Sequence, residues 1–226
     1  MTFSIAGRCA DTGMVGVAIT TSSIAVGSRC PWVRAGVGAV ATQNVTLPSI
    51  GRMTLDGMEG GAAPDAAISS VIGGLQNTEY RQVTAIDAAG RIAIFSGANT
   101  LGTNAEHQGE DCVAAGNLLA SDALPAVMAA TFAAGRGAHL AERLLSALEA
   151  GLNDAGGEEG DVRSAALLVA HEQEWPLVDL RVDWDDDCPI RTLRRLWTDY
   201  EPQMQDYVTR ALNPAAAPSY GVPGDE

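Results

Sequence analysis

Short runs rich in Val and Ile alternate along this chain with longer stretches in which apolar residues recur every three or four positions. Residues 2–8 place Phe3 and Ile5 on one side and Ser4 on the other, the period of two that a strand requires. Turn chemistry at Cys9-Ala10-Asp11-Thr12-Gly13 precedes a second apolar run over 14–21, so a hairpin is predicted at the start. A third strand is predicted over 34–43, where Gly36 and Gly38 would admit another backbone or a ligand. Helices are expected after Pro48 and from Pro64, the second carrying Ile68, Val71, Ile72 and Leu75 at helical spacing.

The runs 83–86 and 92–95 flank Asp87-Ala88-Ala89-Gly90 and predict a further hairpin, with another strand over 111–115. Two helices follow, one stopping at Gly135 and one, with Leu140, Leu144, Leu145 and Leu148, stopping at Gly151. Beyond a Gly- and Glu-rich loop over 153–161, a strand pair is expected at 165–170 and 177–183. A last amphipathic helix carries Ile190, Leu193, Leu196 and Trp197 on one stripe, ahead of a Pro-rich tail over 213–226. Hairpins with helices gathered between them imply an α+β fold rather than a doubly wound parallel sheet. The expected architecture is a four-layer αββα sandwich of two mainly antiparallel sheets between helical layers, with one domain over 1–200 and a C-terminal extension over 201–226.

Composition narrows the chemistry. The 226 residues hold 28 acidic and 14 basic side chains, a formal charge of −14 that would repel a nucleic-acid backbone. All 14 basic residues are arginine, so a phosphate-loop lysine, a Schiff base and a Ser/Lys pair are excluded. No apolar run approaches the ~20 residues of a membrane helix, and the first residues lack signal-peptide blocks. A soluble, cytoplasmic protein without nucleic-acid or membrane partners is the expectation. Cys9, Cys30, Cys112 and Cys188 are scattered without zinc-ligand spacing and read as reduced, mostly buried thiols.

With this residue set, one economical nucleophile is the first mature residue, whose own α-amine acts as base. An α-amine has an ordinary pKa of about 7.7 to 8.0, near working pH, and needs neither histidine nor lysine beside it. Removal of Met1 would expose Thr2 in that role.

Several segments carry a resemblance to a known family. They include Thr2-Phe3-Ser4-Ile5, Gly16-Val17-Ala18 and Ala25-Val26-Gly27, and most specifically the run from Pro31-Trp32-Val33-Arg34 to Ala41-Thr42-Gln43. Arg81-Gln82, Asp87-Ala88, Gly116-Asn117-Leu118-Leu119, Ser164 to Val169 and Asp179 to Asp183 extend it over nearly the whole chain. The sequence resembles the bacterial family catalogued as domain of unknown function 1028, grouped with the N-terminal-nucleophile (Ntn) hydrolases. That resemblance implies an Ntn-type fold and hydrolysis of a small amide or peptide-like bond through an acyl-enzyme on Thr2, without cofactor or metal. Ser4 would neighbour the nucleophile and Arg34 would lower the amine pKa by charge repulsion. Thr21 or Ser22, backbone amides near Gly36 and Gly38, and the substrate-facing Gln43 and Asn117 would hold the amine, the acyl group and the oxyanion. The chain departs from the family pattern at 102–106, ahead of His107, and at Val162-Arg163, where substrate preference would be read.

Rival readings are weaker. Gly36-Val37-Gly38-Ala39-Val40-Ala41 fits a dinucleotide pattern, but it reads as a strand with no βαβ unit around it. His107, His139 and His171 are too scattered for a triad or a metal site. Asp183, Asp185, Asp186 and Asp187 read as a solvated loop capping the last helix rather than a cation site. The competing class is a catalytically silent protein that uses the same fold for binding or assembly. The helical faces and the tail, with Tyr207 and Tyr220, suggest a homo-oligomer.

Overall fold

The most apolar runs of the sequence become strands buried on both faces. In the computed structural model, which describes residues 1–222, the opening hairpin is β1 (Thr2–Arg8) and β2 (Val15–Thr21). β3 (Pro31–Arg34), β4 (Gly38–Asn44), α1 (Ser49–Glu59), α2 (Pro64–Gly73), β5 (Arg81–Asp87) and β6 (Ile92–Ser96) come next. The remaining elements are β7 (Ala105–Gly109), β8 (Cys112–Asn117), α3 (Leu124–Ala134), α4 (Leu140–Asn153), β9 (Ser164–Ala170), β10 (Val178–Val182), α5 (Pro189–Tyr200) and α6 (Met204–Leu212).

One sheet has the order β10-β9-β2-β1-β8-β7 and the other β3-β4-β5-β6, with every pairing antiparallel. Phe3, Ile5, Leu167 and Val169 pack against Met128, Phe132, Leu144 and Leu148 of α3 and α4. Ala6, Val17 and Ile19 turn the other way, onto Ala39, Ala41 and Ile86 of the second sheet. Val40, Val83 and Ala85 in turn meet Ile50, Leu55, Ile68 and Val71 of α1 and α2. The fold is therefore the expected α+β four-layer αββα sandwich. Because β1, β2 and β9 lie between a helical layer and a sheet, both of their faces must be apolar, which is why alternation is weak there. Among the described residues no helix is long and apolar enough to cross a membrane.

Five local expectations are corrected. The strand expected over 34–43 is a hairpin, since the chain reverses between β3 and β4 with Gly36 at φ 70°. β7 was not foreseen because, as an edge strand, its Ala-Glu-His-Gln-Gly sequence stays largely solvated. α4 passes through Gly151 rather than stopping, since a Cβ there would lie 3.1 Å from both Phe3 and Met128 and its absence lets the helix seat on β1. On α5, Ile190, Leu193 and Trp197 are buried, while Leu196, about 100° round the helix from Trp197, is exposed. α6 forms where only an extension was expected, and none of its residues is buried. The end of the Pro-rich tail, 223–226, lies outside the described residues.

The same close-approach logic governs α1. A Cβ at Gly51 would overlap the indole of Trp32, whose Nε1 donates to the Arg29 carbonyl at 3.1 Å. Gly51→Ala should therefore destabilise the protein by about 1–3 kcal/mol through overpacking, although alanine is the better helix former. A urea midpoint equal to or above wild type would contradict this packing account.

Candidate functional site

β1 is a central strand of the larger sheet, and its first residue lies at the end of the space between the sheets. Register pairs Thr2 with Thr21 of β2 on one side and Asn117 of β8 on the other, so the three side chains share the face that Ser4 continues. Thr2 Oγ1 donates to the Met1 carbonyl at 2.6 Å and lies 3.1 Å from Thr21 Oγ1. Thr21 Oγ1 also donates to the Met1 carbonyl, so both hydroxyls converge on one acyl oxygen. Thr2 is 6% exposed and Thr21 2%.

Behind Thr2, a chain of amides links the sheets. Ser4 Oγ donates to Gln43 Oε1 at 2.6 Å, Gln43 Nε2 to Gln82 Oε1 at 2.8 Å, and Asn117 Nδ2 to the same oxygen at 3.2 Å. Gln82 Nε2 donates in turn to the Gly116 carbonyl at 3.2 Å. Such groups are tolerated in an interior because they satisfy each other, and the mutual bonds fix how each amide points. Asn117 Oδ1, fully buried, has no hydrogen-bond partner among the described residues. It is an acceptor held ready beside Thr2.

The loop after α4 completes the site. Gly156 and Gly157, at φ 80° and 66°, turn the chain so that Glu158 bridges Leu119 in antiparallel fashion. Ala120 N–H donates to the Gly157 carbonyl at 3.0 Å and Glu159 N–H to the Leu118 carbonyl at 2.9 Å. Leu118, a non-glycine residue at φ 51°, is held in the left-handed region by these bonds, a strained geometry of the kind found at functional sites. Glu158 is 5% exposed, and neither of its carboxylate oxygens has a hydrogen-bond partner among the described residues. Burial pushes its pKa up to about 8, while the chain-terminal ammonium and the Ser22 backbone amide, outside hydrogen-bond geometry, pull the other way.

The expected site residues separate into two groups. Thr2, Ser4, Thr21, Gln43 and Asn117 come together, with Ser22 half-buried at the rim. Arg34, Gly36 and Gly38 do not join them. They sit around the β3/β4 turn, at the opposite end of β4 from Gln43, about 17 Å away at ~3.3 Å per residue. Arg34 is instead paired with Asp56 and Glu59 of α1, at 2.7 Å each. It therefore supplies no charge to Thr2, and the amides of Gly36 and Gly38 supply no oxyanion contact. A surface cavity of about 420 Å³ lies at that far end, lined by Gly36, Met58, Asp87 and Arg91.

Glu158 and Gln82 are the residues that sequence reasoning missed. The Gly-Gly pair ahead of Glu158 was the available signal, since consecutive glycines mark a backbone driven into close approach. His139 caps α4, accepting from Ala141 N–H at 3.2 Å, and stacks on Trp197. In the acidic loop, Asp185 accepts from Thr192 Oγ1 at 2.6 Å and from the Asp187 and Cys188 amides, which lowers its pKa and ties the loop to α5. Cys30 and Cys112 are buried thiols, and Cys9 and Cys188 are partly exposed.

Residues 2–193 match the model of a family of unknown function, DUF1028. The chain belongs to that family. A Silicibacter pomeroyi protein of the same family, known from its crystal structure, is 29% identical with a TM-score of 0.83, over 91% of this chain and 89% of that one. No curated protein matches.

Proposed function

We propose that the protein is an Ntn-type amidohydrolase that cleaves a small amide or peptide-like bond through an acyl-enzyme on Thr2 once Met1 is removed. The observation that carries this reading is the convergence of the Thr2 and Thr21 hydroxyls on one carbonyl oxygen, that of the residue whose departure frees the Thr2 amine. In the trimmed protein the α-amine takes the Thr2 hydroxyl proton, directly or through a water, as Oγ1 attacks the substrate carbonyl. Thr21 Oγ1, now bonded to a carbonyl oxygen, donates to the oxyanion as it forms. Collapse expels the substrate's amine with the proton, and water then hydrolyses the ester. Asn117 Oδ1 accepts from the freed amine and orients it. No cofactor enters these steps.

A second reading, a catalytically silent binding or assembly protein, draws on the closure of the site. Thr2 is 6% exposed with Met1 in place, and the described surface cavities are lined by other residues. Intact mass of natively expressed protein, with trapping by a β-lactone, separates the two. Loss of one methionine and a covalent adduct that disappears in Thr2→Ala are expected. Retained Met1 with no Thr2-dependent adduct leaves the silent reading in place.

A further inference from the structure

Met1 is held at two points, and its ammonium lies in the field of a buried carboxyl; together they outline an acyl group. Its carbonyl oxygen receives the Thr2 and Thr21 hydroxyls. Its side chain lies over Gly160, where a Cβ would sit 3.2 Å from the Met1 Cε and 3.5 Å from Sδ, so the missing side chain makes the room. Its ammonium acts on Glu158, two residues from Gly160 on the same loop, through its electric field, with no ion pair or hydrogen bond between them among the described residues. Nothing in the packing of the fold explains that carboxylate, since a buried carboxyl without hydrogen bonds is costly and an apolar residue would fill the place better. A cation brought to it supplies the missing partner.

We infer that the space Met1 occupies is the acyl-side subsite of this enzyme, built for an amino acid residue with a free α-ammonium group and an unbranched apolar side chain, with Glu158 as its cation acceptor. The inference rests on the reading of Thr2 as nucleophile, and it narrows that reading to substrates with an unblocked N-terminus. In such a substrate the ammonium meets Glu158, the side chain runs over Gly160, and the scissile carbonyl comes under the Thr21 hydroxyl. A carbonyl placed this way is the one Thr2 Oγ1 attacks. N-acylated substrates lose the charge and bring bulk against a buried carboxyl, and are disfavoured twice.

The test uses trimmed full-length protein and two probes, L-methioninamide and N-acetyl-L-methioninamide, titrated by calorimetry. Methioninamide should bind at least tenfold more tightly than its acetylated form, and Glu158→Gln should remove the difference. Equal affinities, tighter binding of the acetylated probe, or no binding of methioninamide overturns the inference. If Glu158→Gln fails to fold, the wild-type comparison decides alone. Gly160→Leu, which fills the side-chain room, should weaken both probes. The β-lactone result is read separately: an adduct with equal affinities removes the subsite and keeps the hydrolase, while a tenfold preference without an adduct keeps the ammonium pocket and removes the hydrolase.

Discussion

Thr2→Ala is expected to lower the hydrolysis of L-methionine p-nitroanilide by trimmed protein at least about a thousandfold, equivalent to about 4 kcal/mol of barrier. Alanine is small enough for Met1 still to be removed, so the α-amine, Thr21 and the amide chain through Gln82 all remain. What is lost is the hydroxyl that forms the acyl bond. Thr2→Ser, which keeps that oxygen without the methyl group, should stay within about tenfold of wild type. Stability should change far less, because in the trimmed protein Thr2 Oγ1 keeps only the hydrogen bond with Thr21 Oγ1, typically worth ~1 kcal/mol. A Thr2→Ala protein that turns over at the wild-type rate ends the nucleophile assignment, whatever its melting temperature.

That assignment was half legible in the sequence, and the boundary between the halves has a physical cause. The strand at Thr2–Arg8 was readable because Phe3 and Ile5 must face the helices while Ser4 faces the other sheet. Thr21 was readable as its neighbour because a short turn leaves two strands in register, as the pairing of Thr2 with Thr21 shows. Arg34 failed for the complementary reason. A run such as Arg34 to Gln43, apolar and interrupted by glycines, looks like one strand until the chain is known to reverse at Gly36, and the reversal sends Arg34 to α1. Glu158 was signalled only by the Gly-Gly pair before it, which marks a close approach without saying to what. Its place beside Met1 depends on Leu119, some forty residues earlier, accepting a single antiparallel bridge from a loop whose composition looked solvated. Helix α6 was there to be read but was taken as part of the extension: Met204, Tyr207, Val208, Ala211 and Leu212 recur at helical spacing, although none of them is buried.

Glu158 carries the second large effect, on stability against pH. Burial holds its carboxyl at about 8 in the folded chain, against about 4.5 when unfolded. Between those values the folded state binds the proton and the unfolded state does not, so stability falls as pH rises through this window. Below about 4.5 both states are protonated and the penalty is absent; above about 8 it is complete. Relative to Glu158→Gln, which cannot ionise, protein retaining Met1 should therefore lose stability from pH 4.5 to 8, measured as the difference in urea unfolding free energy. Parallel curves for the two proteins across that range would show that the carboxyl is not held neutral. The chain-terminal ammonium favours the ionised carboxylate and offsets part of the burial, so the value of about 8 already includes a nearby cation.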